Sequence, residues 1–131
     1  MEFLTSSSLG LGLELFSWLE VARGWSMKPG GREMTLRQRQ SKFAFMVAQL
    51  IMFAYARGYE LTFGDAFAKT GHIPKSFHYK RLAVDLNLFK DGKYLRKAPD
   101  HLELGEFWES IGGTWGGRFR NKDGNHYSNG S

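Results

Sequence analysis

The chain contains no cysteine. That absence excludes disulfide staples, cysteine-ligated zinc fingers, iron–sulfur clusters and thiol nucleophiles. Any metal must therefore be held by histidine and carboxylates. Long apolar runs are missing as well: Glu14, Glu20 and Arg23 interrupt the most apolar stretch, and nothing approaches the ~20 residues that a bilayer span needs. A secretory leader is not expected, because Glu2 stands where a basic n-region belongs and no small-x-small site follows. These absences lead us to expect a cytoplasmic product with no stable membrane insertion.

What remains is a chain of 131 residues, 42% hydrophobic. That is enough to bury roughly two thirds of the unfolded surface in one core, and a monomer is expected. The net charge of +5 is mild and scattered, and suits nucleic acid, an acidic membrane surface or an anionic cell wall equally well. A nucleic-acid partner is not expected: no recognition motif is present, and Arg37, Arg39 and Lys42 alternate with Gln rather than forming a basic stripe.

Residues 1–34 read as an N-terminal extension, 35–128 as the domain and 129–131 as a disordered tail. Within the extension, Leu15, Trp18, Leu19 and Ala22 have helical spacing over Leu11 to Arg23. Either this is a short helix packed on the domain, or Met34 is the natural start. Thr35 and Gln38 form a capping-box pattern, and the spacing after them predicts one helix from Leu36 to Arg57, ended by Gly58. Tyr59 to Phe63 is strand-like. Leu82, Val84, Leu86 and Leu88 alternate with Ala83, Asp85, Asn87 and Phe89 as in a half-buried strand, and Asp91-Gly92 predicts a hairpin back through Lys93 to Leu95. Asp100 and Glu103 predict a capped helix to about Ile111, with His101 exposed in its first turn. Short strands around glycine turns complete an α+β fold, a small antiparallel sheet against a long helix and a shorter one, with the cleft expected on the sheet.

Asp85 lies on the polar face of an otherwise apolar strand, and a carboxylate there needs a partner. His78 is seven positions earlier, which in an unbroken strand is the opposite face. The two can meet only if His78 sits in a turn or bulge before the strand. Zn²⁺ gives a reason to meet, since it accepts two imidazoles and a carboxylate and keeps a fourth position open. His126 is the third candidate, and Asp123, three residues before it, falls where a general base belongs. Read singly, a histidine in a polar turn is more often a hydrogen-bonded surface residue than a ligand, and a D-G-N-H stretch is usually just a turn.

Ser76-x-His78, Ala83-x-Asp85-Leu86, Trp115-Gly116-Gly117 and Asp123-x-x-His126 resemble the zinc D-Ala-D-Ala carboxypeptidase and L-alanyl-D-glutamate peptidase family, which includes phage endolysins. The resemblance implies that His78, Asp85 and His126 bind Zn²⁺ and that Asp123 is the catalytic base. It implies a peptidoglycan stem peptide as substrate, cut by an endopeptidase of the L-Ala-D-Glu type. A D-Ala-D-Ala carboxypeptidase and an inactive zinc-containing wall-binding module are the alternatives. Ser76 either hydrogen-bonds near the ligands or caps its own turn, and Trp115 lines the cleft or belongs to the core. Where the family carries an upstream Arg, this chain has Ala68, leaving Lys69 or Arg81 as candidates for oxyanion stabilisation. His72 and His101 do not match ligand positions. An endolysin without a leader would act at the cell wall after release through a holin-type lesion.

Overall fold

A computed structural model describes residues 33–129; the expectations for residues 1–32, including the stretch Leu11 to Arg23, and for 130–131 lie outside the described residues. Helix α1, Leu36–Ala56, starts at the capping box. The Thr35 hydroxyl accepts from the Gln38 amide at 3.2 Å and the Gln38 side-chain oxygen from the Thr35 amide at 3.0 Å, so two amides without intrahelical partners are satisfied. Phe43, Met46, Leu50 and Ala54 form its buried stripe. Gly58, with φ +86°, turns the chain out of the helix in a conformation that glycine adopts without strain.

The strands are β1 (Glu60–Phe63), β2 (Ala83–Lys90), β3 (Lys93–Leu95), β4 (Thr114–Trp115) and β5 (His126–Ser128), all paired antiparallel. β2 is the centre of the sheet. β1 occupies one edge of it, while β3 and β5 share the other, β3 beside its last residues and β5 beside its first; β4 follows β5. Asp91 and Gly92 both have positive φ, the geometry of the two-residue hairpin turn that follows strand twist. Leu82, Val84, Leu86 and Leu88 are buried against α1 and the second helix, α2 (Leu102–Ser110), while Asp85, Asn87 and Phe89 on the other face remain partly exposed.

The start of α2 differs from the expectation. Asp100 does not cap it; its carboxylate accepts from the Lys97 amide at 3.0 Å and closes a 3₁₀ turn over Ala98–His101. Pro99, with its fixed φ, suits the first positions of that turn, so the chain begins to coil about one turn earlier than the Asp100–Glu103 pattern suggests. Glu103 instead pairs with Arg57 at the end of α1, 2.8 Å away. The earlier start also carries His101 inward: it is buried, with Nδ1 2.8 Å from the Tyr127 hydroxyl, rather than exposed. Trp108 of α2 closes the far end of the sheet, its indole donating to the Ser128 carbonyl at 2.9 Å. Asn129 donates to the Leu82 carbonyl at 2.9 Å, which ties the chain after β5 to the start of β2.

Candidate metal centre

His78, Asp85 and His126 come together from three pieces of chain. His78 lies in the 3₁₀ turn Phe77–Lys80, whose first amides are capped by Ser76: its hydroxyl accepts from the His78 amide at 3.2 Å. Arg81, in the left-handed region with φ +56°, then redirects the chain into β2. This is the turn that the seven-residue spacing requires. Asp85 and His126 are direct partners across β2 and β5. The Asp85 amide points the other way, to the Asp65 carbonyl at 2.8 Å, so the pair with His126 is of the non-hydrogen-bonded kind, in which side chains approach most closely.

The donor atoms converge. His78 Nε2 is 3.2 Å from Asp85 Oδ1 and 3.2 Å from His126 Nδ1, and His126 Nδ1 is 3.4 Å from Asp85 Oδ1. Tetrahedral ligands at ~2.0 to 2.2 Å from Zn²⁺ stand about 3.3 to 3.6 Å apart by geometry, so the triad has the size of a zinc site. Its chemistry fits too: Asp85 Oδ1 is buried and has no hydrogen-bond partner among the described residues, and such an oxygen is costly without a cation or donor. These three are a group able to hold a metal, with His78 1% and Asp85 17% exposed at the side chain.

Asp123 stands beside the triad, its Oδ2 4.0 Å from His126 Nδ1 and its side chain 52% exposed. Its place is set by main chain: the Asp123 amide donates to the Gly116 carbonyl at 2.9 Å and the His126 amide to the Asp123 carbonyl at 3.2 Å. Trp115 is buried, and its indole donates to the Gly124 carbonyl at 2.7 Å. Burial raises the Asp123 pKa above the ordinary carboxylate value, and Asp85 adds to the rise against the opposing pull of His126. Burial also lowers the His78 pKa, which favours the neutral imidazole that a metal binds; Asp85 opposes that shift.

The remaining sequence candidates do not join the triad. Lys69 is exposed. Arg81 holds its guanidinium 4.0 Å from the centre of the Phe67 ring and lines an open groove of about 340 Å³ with Phe43, Val47 and Val84, on the apolar side of β2. Ala68 lies at the site, its amide donating to the His78 carbonyl at 3.3 Å. Sequence reading missed Asp65, whose carboxylate is 3.0 Å from His72 Nε2; His72, which matches no ligand position, is a loop residue that approaches the site, its ring stacked on that of His78. Phe119 also went unremarked; its ring lies 5.5 Å from that of His126. Only the short sequence distance from His72 to His78 hinted at any of these contacts.

Residues 68–129, which include every member of the triad and Asp123, match the family model described as D-alanyl-D-alanine carboxypeptidase. The match supports a peptidoglycan-related peptidase in general. It supports the zinc D-Ala-D-Ala carboxypeptidase family, the one that the motifs resemble, whose members are zinc-dependent in general. No curated protein matches the chain.

Proposed function

We propose that this protein is a zinc-dependent peptidoglycan peptidase that hydrolyses a stem-peptide amide, an endopeptidase of the L-Ala-D-Glu type found among phage endolysins. The observation that carries the reading is the convergence of His78 Nε2, Asp85 Oδ1 and His126 Nδ1 within 3.4 Å of one another, beside the carboxyl group of Asp123. When bound there, Zn²⁺ supplies a Lewis acid for the scissile carbonyl. Asp123 takes a proton from the attacking water as the new C–O bond forms. It returns that proton to the nitrogen as the C–N bond breaks, a task suited to its raised pKa.

Ala68, at the place where the family carries an Arg, supports an endopeptidase over a carboxypeptidase. Gripping a terminal carboxylate calls for a planar guanidinium fork. Ala68 provides none, Arg81 is engaged by Phe67, and Arg118 holds Glu109 through two bonds of 3.1 and 3.2 Å. The positive net charge suits an anionic wall, and action as a monomer at the cell wall, reached through a holin-type lesion, belongs to the same proposal. Mass spectrometry of fragments released from purified peptidoglycan tests it. Stem peptides freed at the L-Ala–D-Glu bond, lost with chelator and restored by Zn²⁺, are expected. Release of terminal D-Ala alone would move the assignment to the carboxypeptidase, and no release in the presence of Zn²⁺ would leave a wall-binding module.

A further inference from the structure

A histidine that binds a metal ordinarily donates its second ring nitrogen to a carboxylate or carbonyl, which fixes the ring. His78 does not follow that pattern. Its Nε2 faces Asp85 and His126, but its Nδ1 is buried and has no hydrogen-bond partner among the described residues. What meets the ring instead is His72, stacked on it with centroids 4.2 Å apart and planes within 19°.

His72 is itself held at several points. Gly71, with φ +91°, turns the chain toward the site. The Tyr79 hydroxyl accepts from the His72 amide at 2.8 Å and donates to the His72 carbonyl at 2.7 Å. On the side chain, Nε2 lies 3.0 Å from Asp65 Oδ2, and the Asp65 carbonyl in turn accepts from the Asp85 amide at 2.8 Å. Residues 65–72 thus brace both ligands, Asp85 through the main chain and His78 through a ring. Ordering a loop residue in this way costs conformational entropy. The geometry gives the expense an object: the ring that His72 presents packs on the face of His78, whose Nδ1 has no hydrogen bond among the described residues to hold it.

We propose that His72, held by Asp65 and Tyr79, is a positioning residue that fixes the His78 ring for metal binding by stacking on it. The inference rests on the metal-centre reading given above and is independent of which bond is cut. Its test is the Zn²⁺ affinity of the full chain, measured by competition with a chromophoric chelator, together with the visible spectrum of the Co²⁺ form. His72→Gln keeps a partner for Asp65 and loses the ring; His72→Phe keeps the ring and loses the partner. Zn²⁺ binding should weaken about 10- to 100-fold in His72→Gln, the usual cost of losing an outer-shell support, with a shifted Co²⁺ spectrum, and His72→Phe should stay near the parent. Tyr79→Phe, which unlatches the His72 main chain and leaves both rings, carries the same test if His72→Gln does not fold: weaker binding supports the proposal and unchanged binding overturns it. Parent-like affinity in His72→Gln, or a greater loss in His72→Phe, overturns the stacking role while leaving the metal centre standing. A parent chain that binds no Zn²⁺ removes the metal centre and this inference together.

Discussion

The Trp115 indole donates to the Gly124 carbonyl at 2.7 Å, and through that bond the core holds the turn between Asp123 and His126. Asp123 and His126, three residues apart, are thereby anchored to a buried ring rather than to a free surface loop. The main-chain bond from Asp123 to Gly116 closes the same turn from the other side.

Gly116 has no room for a side chain. A Cβ there would overlap the Asp123 carbonyl and come 2.8 Å from the His126 Cβ. Gly116→Ala should therefore destabilise the fold by about 1 to 3 kcal/mol, as overpacking does, and weaken Zn²⁺ binding as well. Denaturant unfolding and a zinc titration measure the two effects; parent-like values in both would mean that this turn does not constrain the site.

Asp123 can be separated from the ligands. Asp123→Ala should reduce hydrolysis of peptidoglycan by about 10² to 10⁴, the range of a lost general base, with Zn²⁺ affinity close to that of the parent. Near-normal turnover in Asp123→Ala would remove the base assignment. His126→Ala should lose both activity and metal.

Metal binding should also appear as stability. A ligand that binds only the folded chain, supplied at 1,000 times its Kd, stabilises by about 4 kcal/mol. The melting temperature of the parent should rise with Zn²⁺ and fall with chelator, and the rise should vanish in Asp85→Ala. A zinc-dependent shift that persists in Asp85→Ala would place the ion elsewhere.

His101 gives the fold an acid sensitivity of its own. Burial lowers its pKa from 6.5 to about 4, only partly offset by Asp100 and a hydrogen bond to the Leu95 backbone. Between those values the unfolded chain binds the proton and the folded chain does not, so stability falls as the pH drops from 6.5 toward 4. The full loss is about 3 kcal/mol. Urea unfolding of the zinc-free protein should show a shallower pH slope in His101→Gln than in the parent, and equal slopes would exclude His101 as the source.

The parts of the fold that were legible in sequence are those decided by neighbours along the chain. Thr35 and Gln38 announce α1, Asp91-Gly92 announces its hairpin, and the alternation from Leu82 to Phe89 shows which side of β2 is buried. Asp100 misled because the same residue type closes a 3₁₀ turn as readily as it caps a helix, and Pro99 favoured the earlier start. At the site, the odd spacing between His78 and Asp85 was enough to demand a turn. The stack of His72 on His78 was not legible, because it depends on the Tyr79 hydroxyl and on Asp65, groups whose approach is decided by how the loop folds back. Arg81 was open to several roles until the Phe67 ring settled where its guanidinium rests.

Asp85 and His126 face each other across β2 and β5, and a sheet repeats every two residues. A slip of one residue would turn one of the pair into the apolar layer and put a hydrophobic side chain where a ligand should be. The centre can therefore form only when the strands have found their correct alignment, and an ion captured there would act as a lock on it. A chain that has made its long helix and hairpin but has not yet docked β5 would lack His126 at the centre and the turn that carries Asp123. The complete set of donor atoms would then arrive only when β5 docks, so a partly folded chain would not offer it.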